Sequence, residues 1–254
     1  MNNFLIQYTL HLADNALILG HRNSEWTGYG PILEQDIALS NIALDLVGQA
    51  RNFYQYAALL SGNGSTEDTL AYLRDAHEFK NCLLVEQSNG DWGKTVLRQL
   101  LMSAYHYYLY QGLQKSKDKN IASVAEKSLK EVTYHLRWSS EWVIRLGDGT
   151  EESHVRMDDA LNDLWKFTDE LFIPAPYEIE VANNGIGLDL MLIKAKWNEN
   201  VRAVLQEATL SFPETDGGLP PSSVNGKEGQ HTEQLNFILS EMQSLQRAYP
   251  GCEW

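Results

Sequence analysis

The chain has 254 residues, of which 43% are hydrophobic and 21% are charged, as in a typical soluble globular protein. Its 34 Asp and Glu residues outnumber its 20 Lys and Arg residues, so the net charge is −14, which argues against a nucleic-acid partner or an anionic membrane surface. Two cysteines cannot build a disulfide framework, no apolar run reaches the length of a membrane span, and the N-terminus lacks the pattern of a signal peptide. We therefore expect a cytoplasmic protein.

Apolar residues recur at helical spacing along the first half of the chain. Four helices are predicted there, at residues 2–22, about Glu34–Leu60, 66–84 and about 92–115. Turn-forming residues separate the first three: Pro31 lies near the start of the second helix, and the glycine-rich run SGNGST follows its end. Ser65 or Thr66 is expected to cap the third helix, and the segment VEQSNGDWG is expected to be the loop that follows it.

The helical pattern continues through the second half, where helices are predicted at 119–146, 152–172, 188–211 and 229–248. Two prolines in IPAPYE are expected to end the second of these, and the following YEIEVANNGIG is expected to be irregular or extended. The Gly-, Pro- and Ser-rich segment at 212–229 is expected to be a flexible loop or an ordered arm. The sequence predicts one all-α domain over residues 1–254, with four long core helices and additional C-terminal helices.

Two of the long helices carry an apolar stripe that includes polar residues. On the second helix the stripe is Leu39, Ile42, Leu46, Gln49 and Phe53. On the helix at 119–146 it is Ala125, Leu129, Val132, Leu136, Ser139, Val143 and Leu146, with His135 beside it. Each helix thus has an aliphatic residue followed three positions later by a polar one, Leu46 by Gln49 and Val132 by His135. A spacing of three places both side chains of a pair on one helix face.

The same spacing occurs in di-iron carboxylate bundles, where two helices each present a Glu-x-x-His pair. Two iron ions need carboxylate oxygens that bridge them and balance their charge, together with imidazole ligands. Here both glutamate positions are aliphatic and one histidine position is Gln49, so these residues cannot hold two irons. The residues alone favour hydrogen-bonded core positions for Gln49 and His135 over a metal site.

Other polar residues near the stripes have structural interpretations. Two carboxylates, Asp45 and Glu131, directly precede the aliphatic members of the pairs and lie about 100° away around the helix. They are expected to form ion pairs, for which three cations are candidates: Arg51, Arg98 and Lys130. On the first helix three polar residues are expected to hydrogen-bond within the bundle: His11, Asp14 and Asn15.

The helix at 92–115 carries the aromatic run AYHYYLY at 104–110, which is broader than one buried stripe. Two interpretations are equally open: a partner chain covers part of this helix, or the additional C-terminal helices of the same chain do. The sequence contains no phosphate-binding glycine loop, no nucleophile elbow and no Cys-x-x-Cys pair.

Four segments are long enough to be specific: IALDLVGQARNFYQYAALLSG, EDTLAYLRDAHEFKNCLLVEQSNGDW, KEVTYHLRWSSEWVIRLGDGT and GQHTEQLNFILSEMQSLQRAYPG. Through them the chain resembles, over essentially its whole length, the C subunits of bacterial phenylacetyl-CoA epoxidases, which are multicomponent oxygenases of phenylacetate catabolism. The resemblance implies a ferritin-like four-helix bundle. It also implies a structural paralogue of the catalytic A subunit, whose two Glu-x-x-His motifs correspond here to Leu46 with Gln49 and Val132 with His135.

The resemblance further implies a division of labour within a complex. The chain would have no catalytic residue and would bind no metal or cofactor, and it would pair with and stabilise the A subunit in a heterodimer that doubles. The di-iron site would lie in the A subunit, while a reductase would bring FAD, an iron–sulfur centre and NADPH. The reaction would be epoxidation of the aromatic ring of phenylacetyl-CoA with dioxygen. We expect the partner surface on the second and third helices and the helix at 92–115.

Two alternatives stay open. The chain could be a metal-binding oxygenase in its own right, with atypical ligands drawn from His135, Glu131, Asp45, Asp14 and Glu34. It could also be a ferritin-like scaffold for a different complex. A contact with a coenzyme A phosphate is open as well, with three candidate cations: Arg51, Arg74 and Lys80.

Overall fold

The computed structural model describes residues 2–213, 225–249 and 252. Within this part of the chain the regular structure is entirely helical, so the predicted all-α fold class is confirmed. The α-helices are α1 Asn2–Ser24, α2 Leu33–Ser61, α3 Glu67–Tyr72, α4 Leu83–Glu86, α5 Trp92–Leu113, α6 Lys119–Gly147, α7 Glu151–Trp165, α8 Pro176–Asn183, α9 Leu190–Glu207, α10 Glu233–Met242 and α11 Ser244–Ala248. Short 3₁₀ turns lie at Ala76–Glu78, Asp169–Phe172 and Gly226–Glu228. None of the described helices combines the length and apolarity needed to cross a membrane.

The chain divides into two compact units. The first unit comprises Met1–Ser88, Ala175–Glu180 and Ser223–Trp254. The second unit comprises Asn89–Pro174 and Val181–Ser222. The prediction of a single domain over the whole chain stays a prediction.

Helices α1 and α2 form the antiparallel pair on which the first unit is built. Asn2 near the start of α1 donates a hydrogen bond to the Leu60 carbonyl near the end of α2, at 3.2 Å. Near the end of α1, a Cβ on Gly20 would lie 3.3 Å from the Ala43 carbonyl oxygen, so the small residue lets the two helices approach closely. The predicted α2 stripe is confirmed, because all five of its residues are buried: Leu39, Ile42, Leu46, Gln49 and Phe53.

The predicted third helix at 66–84 is wrong as one continuous element. Thr66 caps α3 through a capping box with Thr69, but that helix ends at Tyr72. Further along, the main-chain N–H of Lys80 donates to the Asp14 carboxylate at 2.7 Å, and that of Cys82 donates to the Asn15 side-chain oxygen at 2.8 Å. These donors serve side chains of α1 rather than carbonyls four residues earlier, so the backbone there cannot continue as a helix.

Helices α5 and α6 form the corresponding antiparallel pair of the second unit. Trp92 at the start of α5 packs against Trp138 and Trp142 in the second half of α6, with ring centroids 5.9 and 6.0 Å apart. Every residue of α5 from 95 to 106 is buried, and α6, α7 and α9 all contact this helix. Helices of the same chain therefore cover much of the aromatic run, and the expectation of a partner surface on this helix stays a prediction.

The buried stripe of α6 is displaced from the predicted one. Leu129, Leu136 and Leu146 are only half-buried and lie at its edges, whereas His135 lies within it. The buried residues of the helix are Ile121, Ala125, Ser128, Val132, His135, Trp138, Ser139, Val143 and Gly147. Small residues such as Ser128 and Gly147 fit the inward face because helices pack closely there, and Gly147 directly abuts the Ala208 carbonyl.

Three further predictions needed correction. The helix predicted at 152–172 ends at Trp165, and a 3₁₀ turn follows. The segment expected to be extended contains α8, since Pro176 occupies the first helical position, where its missing N–H costs nothing. The helix predicted at 229–248 is interrupted at Gln243, whose side-chain amide donates to the Ala71 and Arg74 carbonyls. Of the predicted loop at 212–229, residues 214–224 lie outside the described residues.

Candidate functional site

The four positions that the resemblance matches to di-iron ligands lie on the inward faces of their helices. Leu46 and Gln49 on α2 are buried, as are Val132 and His135 on α6. Gln49 and His135 both have interaction partners. Leu46 and Val132 have no donor atom, so the residues present do not fit a di-iron pair, which needs bridging carboxylates at these positions. Among the described residues, no cluster of three or more His, Cys, Asp or Glu side chains is placed to hold a metal ion.

The neighbouring carboxylates lie off the inward stripes. Asp45 and Glu131 are half-buried, and both have partners. Two of the candidate cations have other contacts: an Arg51 nitrogen lies 3.4 Å from the Glu67 carboxylate, and Arg98 donates to the Asn89 side-chain oxygen at 2.5 Å. Burial, and to a smaller extent the negative charge of Glu131, raises the pKa of Tyr110 above its ordinary value.

The first unit contains a buried ionic cluster centred on Asp14, which is fully shielded from solvent. Tyr54 of α2 donates to its Oδ1 at 2.5 Å. Arg74 binds both carboxylate oxygens, one of them at 3.1 Å, and the Lys80 main-chain N–H donates to Oδ2 at 2.7 Å. Asp14 therefore joins α1, α2 and the segment after α3, and it can serve as a metal ligand only by giving up these bonds.

The protonation states in this cluster follow from its geometry. Burial raises the pKa of Tyr54 well above its usual range, and the charge of Asp14 adds to this effect, so the phenol keeps the proton that it donates. Burial acts to lower the pKa of Arg74, but the charge and hydrogen bond of Asp14, together with Tyr54 and Glu78, outweigh it, and the net shift is upward. The Arg74 guanidinium is nearly inaccessible and committed to Asp14, which leaves it unavailable to a coenzyme A phosphate.

A second buried cluster joins α1 to α8 and to the C-terminal segment. The Lys227 ammonium, which is completely buried, lies 2.9 Å from the Glu178 carboxylate. Burial acts to raise the pKa of Glu178, but the charge and hydrogen bond of Lys227, together with His11 and the Ala175 main-chain N–H, outweigh it and lower that pKa. His11 lies 3.6 Å from the same carboxylate and makes a 2.7 Å hydrogen bond through Nδ1 to the Lys80 carbonyl. Burial lowers the pKa of His11, so its imidazole is neutral and Nδ1 carries the proton.

A third cluster holds Glu86 of α4. His231 Nδ1 lies 2.9 Å from its carboxylate, and His231 Nε2 lies 3.0 Å from the Phe79 carbonyl. The Thr232 main-chain N–H and the Asn81 side chain also donate to Glu86, at 2.7 and 3.0 Å. Burial acts to lower the pKa of His231, but the bond and charge of Glu86 outweigh it and raise that pKa.

The contacts in these clusters test the sequence predictions for the polar residues of α1. The expectation that His11, Asp14 and Asn15 hydrogen-bond within the fold is confirmed, since each has the partners described above. Sequence reasoning missed Glu86, Lys227 and His231 as buried members of the same polar core. The only signal was indirect: they lie within or next to the conspicuous segments VEQSNGDW and GQHTE.

The outward face of α2 is apolar. Five residues that share this face are strongly exposed: Leu33 72%, Ile37 51%, Leu44 69%, Val47 38% and Leu59 74%. Helical spacing places them opposite the buried stripe. A Cβ added to Gly48, in the same face, would meet nothing within 4 Å, so no packing within the described chain requires a glycine there.

Long antiparallel helix pairs with buried inward faces define the class: an all-α, ferritin-like helical protein. Over residues 1–254 the chain matches, and belongs to, the phenylacetic acid catabolic protein family. It is 47% identical over 252 residues to the C subunit of the 1,2-phenylacetyl-CoA epoxidase of Escherichia coli (strain K12), and the match covers 99% of this chain and 100% of that relative. The resemblance drawn from the four sequence segments is confirmed.

Proposed function

We propose that this chain is a non-catalytic subunit of a phenylacetyl-CoA epoxidase, and that it pairs with and stabilises the di-iron catalytic A subunit. The observation that carries the proposal is the loss of donor atoms at Leu46 and Val132, both buried on inward helix faces. The Escherichia coli relative, which is the C subunit of such an epoxidase and is similar over its full length, supports the assignment to that complex. A bundle protein can support catalysis without touching substrate, by holding the helices that carry the metal ligands of its partner.

We assign the outward face of α2 to the contact with the catalytic subunit. Its exposed aliphatic side chains, from Leu33 to Leu59, would gain free energy when a partner removes them from water. A groove of about 160 Å³ lies beside Val47 and is closed on its other side by Ala71 and Tyr72 of α3, which provides a place for an apolar side chain of the partner. Exposed acidic residues flank this face, Glu34 and Asp68 among them, so we expect basic residues on the partner's surface.

Gly48 supports the same assignment. A glycine inside a helix costs about 0.5–1 kcal/mol relative to alanine, and the space around its Cβ position is open. A close approach of a partner's backbone would account for the glycine, since a side chain there would hold the two surfaces apart.

Within this proposal the cofactors lie in other subunits. The di-iron centre would belong to the A subunit, and FAD, an iron–sulfur centre and NADPH to the reductase, while this chain binds none of them. The complex would work in the cytoplasm and epoxidise the aromatic ring of phenylacetyl-CoA with dioxygen. The alternative, a metal-binding oxygenase with atypical ligands, has little support, because Asp14 is bonded to Arg74 and Tyr54 and Glu34 is exposed.

Reconstitution tests the role of the chain. The A subunit is produced with and without this chain, and epoxidation of phenylacetyl-CoA is measured with reductase and the other components present. We expect activity only with the chain, and less than stoichiometric iron in the chain purified alone. Full activity of the A subunit without it would refute the structural role, and one or two tightly bound irons per chain would favour the oxygenase alternative.

A pair of matched variants tests the docking face. Leu44→Asp places a charge on the outward face of α2, whereas Leu192→Asp places one on α9 at a residue with the same 69% exposure. We expect Leu44→Asp, and likewise Gly48→Leu, to reduce co-purification with the A subunit at least tenfold, while Leu192→Asp leaves it unchanged. Equal pairing by all three variants would show that the partner binds elsewhere, and circular dichroism of each variant confirms that it has folded.

A further inference from the structure

A small cleft in the second unit lies between α9 and the turn that joins α7 to the 3₁₀ segment Asp169–Phe172. Its volume is about 200 Å³. Aromatic rings form much of its lining: Trp165, Phe172, Trp197 and Phe212. Trp165 lies 4.9 Å from Phe212 and 5.7 Å from Trp197, measured between ring centroids. Trp165, Phe172 and Trp197 are buried, whereas Phe212 is half-buried and leaves part of its ring open to an edge-to-face contact, an arrangement that aromatic pairs favour.

Polar side chains of α9 form one edge of the cleft. Lys194, Asn198 and Arg202 follow each other at intervals of four residues, so they lie on one helix face, and all three line the cleft. A Lys194 nitrogen lies 3.4 Å from the Asp169 carboxylate. Arg202 lies over the Phe212 ring at 3.9 Å, and among the described residues its guanidinium has no ion-pair partner. The cleft thus combines an aromatic lining with a cation and an amide.

The backbone next to the cleft is strained. Thr209, two residues after α9, has φ of +60°, a conformation that a β-branched side chain rarely adopts. Its hydroxyl donates to the Gly147 carbonyl at 3.3 Å, and Gly147 packs against the Ala208 carbonyl so closely that a Cβ would lie 2.3 Å away. This turn directs the chain so that Phe212 meets Trp165. Strain of this kind is held in place at ligand-binding sites more often than elsewhere.

Size and chemistry together select the ligand. A cleft of about 200 Å³ is below the range of roughly 300–1,000 Å³ usual for drug-sized ligands, so it excludes a whole nucleotide or coenzyme. A single ring fits the aromatic lining, and a carboxylate matches the fork of a guanidinium and the N–H groups of an amide. We infer that this cleft binds a small monocyclic aromatic carboxylate, with its ring against Phe212 and Trp165 and its carboxylate on Arg202 and Asn198.

This inference does not depend on the proposed pairing with the A subunit, because α2 contributes nothing to the cleft. A site of this kind would let the level of a free aromatic acid influence the protein separately from any coenzyme A thioester. Failure of the pairing tests on α2 leaves the cleft unaffected, and failure of the binding test below leaves the pairing proposal intact.

Binding is tested by titrating the purified full-length chain with phenylacetate while its indole fluorescence and heat of binding are recorded. Two related compounds separate the contributions: phenylacetamide has the ring without the charge, and cyclohexylacetate has the charge without the aromatic ring. We expect saturable phenylacetate binding, and at least tenfold weaker binding of each of the other two, as expected when a charge-assisted bond or a ring contact is lost.

Variants locate the site. Arg202→Met is expected to weaken phenylacetate binding at least tenfold, and Asn198→Leu is expected to weaken it less. Arg145→Met is the matched control, since Arg145 also lies over an aromatic ring, that of Trp142 at 5.6 Å, outside the cleft. Unsaturable phenylacetate binding, equal binding of either related compound, or an Arg202→Met variant that binds as well as the control would each overturn the inference.

Discussion

Buried charges hold the first unit together, whereas aromatic rings fill much of the core of the second. In the first unit Asp14 and Glu178 each face a buried or nearly buried cation, and Glu86 faces the imidazole of His231. In the second unit Trp197 packs against both Trp165 and Phe172, and Trp92 packs against Trp138 and Trp142. Charge pairs tolerate the loss of neither partner, while ring clusters respond mainly to lost volume.

The difference also separates what the two units are suited to do. The ionic clusters bond three separate stretches of sequence to α1. The first unit is therefore a stable scaffold for the exposed face of α2. The ring cluster of the second unit leaves a cleft beside α9. Variants that test pairing are therefore made in the first unit, and variants that test small-molecule binding are made in the second.

The largest effect is expected from Asp14→Asn. This change preserves the size of the side chain but removes the charge that compensates the buried Arg74, so we expect the free energy of unfolding to fall by about 3–5 kcal/mol. Urea denaturation measures the change. Glu67→Gln is the control, because its partner Arg51 is exposed, and it should cost under about 1 kcal/mol. If Asp14→Asn lowered the free energy of unfolding as little as Glu67→Gln does, the buried Asp14–Arg74 pair would not be a major stabilising contact.

Trp197→Phe probes the second unit. It shortens a ring that is almost completely buried and removes the indole N–H that donates to the Leu101 carbonyl at 2.9 Å. We expect the free energy of unfolding to fall by about 2–3 kcal/mol, from lost volume and from the lost hydrogen bond to a carbonyl that keeps its partner within α5. Leu100→Met, at a buried position where volume is conserved, should cost less than about 1.5 kcal/mol. Equal losses of unfolding free energy in Trp197→Phe and Leu100→Met would argue against a core whose stability depends on the volume of its side chains.

His231→Gln tests the pH dependence of the first unit. The pKa of His231 is raised in the folded state, so its contribution to stability is fully present below its unfolded pKa of about 6.5 and is lost as the pH rises through the folded pKa. At acidic pH the free energy of unfolding of the wild type should exceed that of the variant by about 2 kcal/mol, because His231 then bonds as a charged group. This difference should shrink at alkaline pH. A gap that is constant with pH, measured by denaturation at several pH values, would show that His231 is not charged.

The smallest effect is expected from Gly48→Ala. Nothing surrounds the added Cβ in the described chain, and alanine favours the helix, so the isolated chain should gain about 0.5–1 kcal/mol in unfolding free energy. Thermal unfolding of the chain alone measures this gain. A destabilised variant would mean that the glycine serves the fold of this chain rather than a contact with a partner.

Local periodicity was sufficient for much of the fold. The α2 stripe from Leu39 to Phe53 was predicted residue by residue, because alternating apolar and polar residues at intervals of three and four encode which face is inward. The same reasoning misplaced the α6 stripe. There Leu129 and Leu136 suggested the wrong centre, since the buried face of that helix includes small and polar residues such as Ser128 and His135.

The sequence by itself determined the helical class, the family, and the absence of carboxylates at Leu46 and Val132, since periodicity and residue identity are properties of the chain alone. Tertiary structure decided where the third predicted helix breaks, how Asp14 is neutralised and why a lysine at 227 is buried. Each of these depends on groups far apart in sequence, such as Asp14 with Arg74, 60 residues apart. A main-chain N–H or a charge takes the partner that folding brings to it, and no local pattern records that partner.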